Sequence, residues 1–136
     1  MRTAVDSPPL RETPAGEMTA SAVVSPPKTF VFLARFQCKP GKASALFDLL
    51  RPVCKHCEIS EPHTLQYEVL QSDRDPESVL LIERYTSRAA MLEPHKSSAA
   101  FQRFKRALEA ADILADKAGS SWLSTDHGMG FMRCRL

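Results

Sequence analysis

Between Phe30 and Cys57 the apolar residues change their period, and that change restricts the fold more than any other feature of the chain. Phe30, Phe32, Ala34, Phe36 and Cys38 alternate with Val31, Leu33, Arg35 and Gln37. This is the period-2 pattern of a strand whose two faces are both partly apolar. Pro40-Gly41 stops it. Ala43, Leu46, Phe47, Leu50, Val53, Cys54 and Cys57 then recur at spacings of three and four, with Asp48, Arg51, Lys55 and Glu58 outside the stripe. Such spacing belongs to an amphipathic helix, which Pro52 should bend mildly.

The alternation returns downstream. Leu65, Tyr67 and Val69 begin a second strand, Ser72 to Pro76 makes a turn, and Val79 to Tyr85 is a third strand that forms a hairpin with the second. Phe101, Phe104, Leu108, Ala111 and Ala115 form another helical stripe that Gly119 is expected to close, and Gly130 to Leu136 can add a last short strand. The order strand, helix, strand, strand, helix, strand predicts an α+β fold of the ferredoxin-like βαββαβ type, with both helices on one face of an antiparallel sheet. The third strand carries Val79 and Leu81 on one face and Leu80 and Ile82 on the other. The face without helices therefore needs a second cover, and the simplest is another copy of the chain in an isologous dimer, a dimeric α+β barrel.

Ahead of this region, residues 1–28 hold five of the ten prolines among Ser, Thr and Ala without an apolar period. They read as a flexible N-terminal tail, leaving residues 29–136 as the folded domain. A net charge of +2 with 25% charged residues is far from the one-sided charge that nucleic-acid binding uses. Arg103, Lys105 and Arg106 read as a solvated helix face. The longest apolar run, Phe30 to Ala34, is far short of the roughly 18 to 20 residues that span a bilayer. Neither a secretory h-region nor an acid-free transit segment opens the chain, so a cytoplasmic location is expected, with Cys38, Cys54, Cys57 and Cys134 as free thiols. Cys54-Lys-His-Cys57 has the spacing of a redox or metal motif. It follows several helical turns rather than opening a helix, both thiols lie on the apolar stripe, and His56 points off it, so the cysteines read as structural and no metal is expected.

Three ordered segments carry a resemblance: ARFQCKPGK (34–42), SEPHTLQYEVL (60–70) and LLIERYTSRAAMLEPHKSSAAF (80–101). Together the region from Phe30 to Leu108 resembles the antibiotic biosynthesis monooxygenase (ABM) family of dimeric α+β barrels. That resemblance implies a homodimer acting on a small aromatic, quinol or polyketide-like substrate with molecular oxygen and without metal or flavin, as in secondary metabolism. Other members isomerise or cyclise similar molecules, and some have no established chemistry, so an isomerase or a non-catalytic ligand-binding dimer are the alternatives. The chain departs from the family where Glu-Pro-Gly is usual, having Glu61-Pro62-His63 instead. It also lacks the Asn and Trp arrangement of haem-degrading relatives. GSSWLSTDHGMG (119–130) has no family counterpart and reads as a loop or lid over a pocket.

The resemblance places His95 at the start of the second long helix, where a neutral imidazole can take a phenolic or enolic proton. Pro94, immediately before it, should end or kink the preceding helix. Glu83 and Tyr85, two apart on a strand, share a face. Glu83 can hold one ring nitrogen of His95 and Tyr85 can donate to a substrate oxygen, the alternative being that Glu83 pairs with Arg84 or Arg35 at the dimer interface and Tyr85 simply packs. Phe36, Tyr67, Phe101 and Trp122 are expected to wall the pocket, with His63 and His127 as further substrate-binding candidates.

Overall fold

Pro40 and Gly41 end the first long strand as expected: Gly41 sits at φ 78°, a conformation that strains any side chain, and Lys42 N–H donates to Lys39 O across the turn at 3.0 Å. The computed structural model describes residues 10–12, 18–24, 28–124 and 129–135. It divides into two units, residues 28–124 and the two chain ends, 1–27 with 125–136.

In the unit of the chain ends, β1 (Leu10–Glu12), β2 (Met18–Val24) and β7 (Met132–Arg135) form an antiparallel sheet in the order β1-β2-β7, with Leu10 opposite Ala20 and Val24 opposite Met132. The sequence reading gave 1–28 no structure of its own. These two segments instead find backbone partners, which a search for apolar periods does not detect.

The larger unit runs β3 (Phe30–Cys38), α1 (Ala43–Ser60), β4 (Thr64–Gln71), β5 (Ser78–Tyr85), α2 (Arg88–Ala90), a π-helical turn (Met91–His95), α3 (Ala99–Ala111) and β6 (Leu114–Leu123). Its four strands are antiparallel in the order β4-β5-β3-β6, the arrangement of a ferredoxin-like α+β fold. Glu77, from the β4–β5 hairpin, accepts the first free N–H groups of α1 from Lys42 and Ala43 at 3.1 and 3.2 Å. A carboxylate there also suits the positive end of the helix dipole.

Alternation along β5 is strict: Val79, Leu81, Glu83 and Tyr85 are buried, while Ser78, Leu80, Ile82 and Arg84 are half-buried. Val79 and Leu81 join Ala34, Phe36 and Cys38 of β3, Leu46, Leu50, Val53 and Cys57 of α1, and Phe104 of α3, while Tyr85 packs with Phe30, Ala90 and Met91. Burying each large aliphatic side chain in this layer contributes about 1.5–3 kcal/mol. On the other sheet face, Leu33 lies opposite Ile82 and Leu70 opposite Leu80.

The closing strand differs from expectation. α3 ends at Ala111 rather than running to Gly119, because Asp112 adopts the left-handed conformation (φ 53°, ψ 47°) and Lys39 Nζ holds its carboxylate at 2.8 Å. Ile113 then buries itself, and Leu114–Leu123 pairs along the whole of β3. Residues 119–123 are therefore strand rather than lid. Gly119 is required by close approach: a Cβ there would stand 2.4 Å from Phe32 Cζ. The short strand expected near the C-terminus exists as β7, but its partner is β2.

Candidate functional site

Pro94 has no N–H to continue a helix, and around it the backbone widens into a π-turn closed by Lys96 N–H to Met91 O at 3.0 Å. The widened turn leaves Leu92, Glu93 and Pro94 exposed and directs Met91 and His95 inward. Ser98 then starts α3 by accepting Phe101 N–H at 3.1 Å. His95 is thus fixed between two constrained backbone segments, with 1% of its surface exposed.

Its ring lies against Phe101, Tyr67 and Tyr85 at centroid separations of 5.1, 5.3 and 5.6 Å. Nδ1 faces Glu61, at 3.0 Å from Oε1 and 3.3 Å from Oε2, and lies 3.5 Å from Cys57 Sγ. Glu61 caps the C-terminus of α1, its N–H donating to Cys57 O at 3.3 Å. Its carboxylate also accepts the Thr64 hydroxyl at 2.7 Å and contacts His56 Nε2 at 3.0 Å. On the other side of the ring, Nε2 is buried without a hydrogen-bond partner, and the nearest carboxylate oxygen, Glu83 Oε1, is 3.8 Å away. Tyr85 Oη donates to that same Oε1.

This geometry fixes the tautomer. With Glu61 as acceptor, the ring proton sits on Nδ1, and the lone pair is left on Nε2. Burial lowers the His95 pKa below the ordinary imidazole value, Glu61 opposing it, which favours the neutral ring. Burial likewise pushes Glu83 up to about 7, against the pull of the Tyr85 hydrogen bond and of Lys96. Tyr67, Tyr85 and Cys57 are all raised, burial being the largest cause in each, so they stand as neutral donors. The cluster is a neutral imidazole with an unshared lone pair, flanked by a proton-bearing pair on β5.

Beside it a groove of about 300 Å³ runs between α1 and β4, lined by Cys54, Cys57, Glu58, Thr64, Leu65, Gln66 and Tyr67. Two of those residues, Cys57 and Tyr67, touch the His95 ring.

The expected residues separate into two groups. His95, Glu83, Tyr85, Tyr67 and Phe101 come together. Phe36 packs in the apolar core under α1 instead of walling a cavity, because its position on β3 faces Leu46 and Leu50. Trp122 is 57% exposed on β6, opposite Val31 on the helix-free face, its Nε1–H donating to Ser120 Oγ at 2.9 Å. His63 is exposed in the turn before β4 and contributes only its carbonyl, to Thr86 N–H at 3.0 Å. His127 lies outside the described residues. The acid on the ring's hydrogen-bonded nitrogen is Glu61, not Glu83. The sequence reading gave Cys57 only a structural role, set His56 off the apolar stripe and assigned no role to Glu61, although the spacing of four between Cys57 and Glu61 puts them on one side of a helix end.

The antibiotic biosynthesis monooxygenase family model matches residues 29–107, more than half of the chain. The chain belongs to that family. A Pseudomonas aeruginosa protein of known structure is 28% identical with a TM-score of 0.64, the match covering 73% of this chain and 96% of that one. A Mycobacterium tuberculosis protein is 25% identical with a TM-score of 0.62, covering 73% and 97%. A Nitrosomonas europaea protein that carries the antibiotic biosynthesis monooxygenase name shares the fold at 24% identity and a TM-score of 0.65, covering 73% and 92%. No curated protein is significantly similar to the chain. Membership supports an ABM-type function in general terms. Among the described residues no helix is long and apolar enough to cross a membrane.

Proposed function

We propose that this ABM-type protein is a cofactor-independent monooxygenase for a small aromatic, quinol or polyketide-like substrate, with His95 as its general base. The observation that carries the reading is the free Nε2 lone pair of a neutral, buried histidine whose other nitrogen is committed to Glu61. A phenolic or enolic O–H brought to Nε2 would transfer its proton there, and Glu61 stabilises the imidazolium that forms. Glu83 in its protonated form, about half of the molecules near pH 7, can donate to the substrate oxygen as negative charge develops on it, while the neutral Tyr85 hydroxyl donates to Glu83 Oε1. The resulting electron-rich anion reacts with molecular oxygen: one oxygen atom enters the substrate, and the other leaves as water when a methylene is oxidised to a carbonyl. Tyr67 and Phe101 shield the reacting centre.

We place the enzyme in the cytoplasm as a homodimer. The half-buried Leu33, Leu80 and Ile82 of the helix-free face support the second copy. Convergence of Glu61, Glu83 and Tyr85 on one imidazole favours an enzyme over a passive ligand carrier.

The test is oxygen uptake by the purified protein with an anthrone or a hydroquinone, recorded beside product analysis. Uptake matched by an oxygen atom from O2 in the product, as in anthrone to anthraquinone or hydroquinone to a hydroxylated quinone, supports the oxygenase, whereas simple dehydrogenation of the hydroquinone to its quinone counts against it. Product formed without oxygen consumption would replace it with an isomerase that uses the same deprotonation.

A further inference from the structure

Of the Cys54-Lys-His-Cys57 motif, Cys57 alone gains ligating partners from the fold, and both lie outside the motif. Cys57 Sγ, a Glu61 carboxylate oxygen and His95 Nδ1 all lie within 4.8 Å of one another, and all three residues are buried. Tetrahedral zinc, with Zn–S of about 2.3 Å and Zn–N or Zn–O of about 2.0 Å, has ligand-to-ligand edges of about 3.5 Å for S–N and about 3.3 Å for N–O. The corresponding distances here are 3.5 Å for Sγ–Nδ1 and 3.0 Å for Nδ1–Oε1. The third edge, from Sγ to the Glu61 oxygen, lies within 4.8 Å against about 3.5 Å for zinc, so Cys57 and Glu61 would close on the ion by up to about an ångström.

We infer that Cys57, Glu61 and His95 form a site for a zinc-class divalent cation, and that the ion and the base action of His95 exclude each other. A second, independent observation supports the site. A metal on Nδ1 obliges the neutral ring to carry its proton on Nε2. That atom is buried without a partner and faces the Glu83 carboxyl 3.8 Å away. Metal-bound histidines characteristically donate their other N–H to a carboxylate, and Glu83 is the carboxyl in position to accept it once the ring closes the remaining few tenths of an ångström. His56 Nε2, at 3.0 Å from Glu61 Oε2, holds the ligating carboxylate by its other oxygen. The charges also balance: a +2 ion with one thiolate and one carboxylate is neutral, so no net charge is buried.

On binding, the Cys57 thiol proton leaves to solvent, the Nδ1 proton is replaced by a proton on Nε2, and no electrons move. Three protein donors leave a fourth position for a water. A thiolate with an imidazole selects zinc, cobalt or cadmium over magnesium or calcium. Access is by way of the groove, which Cys57 lines.

The binding claim stands apart from the oxygenase reading, and only the exclusion claim rests on it. The full-length chain, stripped with EDTA, is titrated with Co²⁺ and the near-ultraviolet thiolate-to-cobalt band followed. Saturation is expected at about one equivalent per chain, reversed by Zn²⁺ and unaffected by Mg²⁺. Cys57→Ala should abolish the band, whereas Cys54→Ala, which removes the motif's other thiol, should leave it. Should Cys57→Ala fail to fold by circular dichroism, Glu61→Gln takes its place and should weaken binding by about tenfold or more. No band, a band that survives Cys57→Ala, or one lost with Cys54→Ala would overturn the site. Where oxygen uptake is measurable, zinc loading should abolish it and EDTA restore it. Undiminished turnover of the zinc-loaded protein would overturn the exclusion while leaving the site in place.

Discussion

On the helix-covered face of β5, Val79 and Leu81 lie in an apolar layer with Leu46, Leu50 and Phe104, while Glu83 and Tyr85 lie among titratable groups. Both halves are buried to a similar degree, Val79 at 0% and Glu83 at 6% exposure. Their energetics are opposite. The first half gains free energy by leaving water, whereas the second loses it unless each polar atom finds a partner, and His95 Nε2 does not. Keeping an unpartnered lone pair at the centre of a domain costs stability, a cost that the proposed base function would explain. One half of the strand therefore holds the fold, and the other holds the residues to which we assign the chemistry.

The largest expected effect separates the halves by activity. His95→Ala should lower turnover by about a hundred- to ten-thousand-fold while the protein stays folded, because it removes the proposed base. His95→Gln keeps a hydrogen-bonding side chain but cannot accept a proton at neutral pH. If steady-state assays show that Gln restores turnover, His95 positions the substrate rather than taking its proton.

In the apolar half the change should appear in stability instead. Leu46 is fully buried on α1. Leu46→Ala should cost about 2–5 kcal/mol in denaturant unfolding and leave turnover per folded molecule unchanged. A variant that loses activity in step with stability would show that the two halves are not separable.

The pH dependence of stability sharpens the contrast within the cluster. Glu83 is raised from 4.5 to about 7 by burial, so between those values the folded state binds more protons than the unfolded one, and stability falls as pH rises. For an isolated group the fall amounts to about 3 kcal/mol across the window. His95 has the opposite sign. Its pKa is lowered from 6.5, so the unfolded state binds the extra proton, and stability rises with pH up to about 6.5. In the intact protein the two slopes partly cancel below pH 6.5. Glu83→Gln should leave the rising limb alone, and His95→Gln the falling one, as read by melting temperature from pH 4.5 to 8. Parallel profiles for the two variants would remove the assigned shifts.

These halves differed in legibility as well. β3, α1, β4 and β5 could be read because each buries one face and leaves a period in the sequence. β6 buries almost nothing of its own, with every side chain from Ala115 to Leu123 exposed, so it has no period to read, and only its pairing with β3 defines it. Gly119 was taken as a helix stop because local sequence cannot reveal that Phe32 occupies the space of its Cβ. At the site, His95 and its aromatic neighbours followed from strand alternation and family resemblance. Glu61 did not, because it is the polar cap one residue past α1 and lies outside the apolar stripe by which the helix was read, although its spacing of four from Cys57 holds. Cys57 looked apolar because a thiol on a buried stripe packs like a small aliphatic group until something polar is folded onto it.

A smaller effect is expected where the backbone itself closes the sheet. Gly119→Ala would force the Phe32 ring to move, at a cost of about 1–3 kcal/mol in thermal unfolding. Turnover should hold, since neither residue belongs to the cluster.

The smallest effect belongs to Tyr67, which adjoins both regions: its ring stacks beside His95 at 5.3 Å and its side chain lines the groove. Burial holds its hydroxyl far above the ordinary tyrosine pKa, so it remains a neutral phenol throughout the working range and cannot substitute for the base. Tyr67→Phe keeps the ring and therefore the shielding, removing one hydroxyl. Turnover should change by less than about tenfold, the free energy of a single neutral hydrogen bond. Most of the change should fall on KM, since a wall residue contributes equally to substrate and transition state. A loss comparable to that of His95→Ala, with KM unchanged, would instead make the Tyr67 hydroxyl a catalytic donor and shift the chemistry from β5 toward β4.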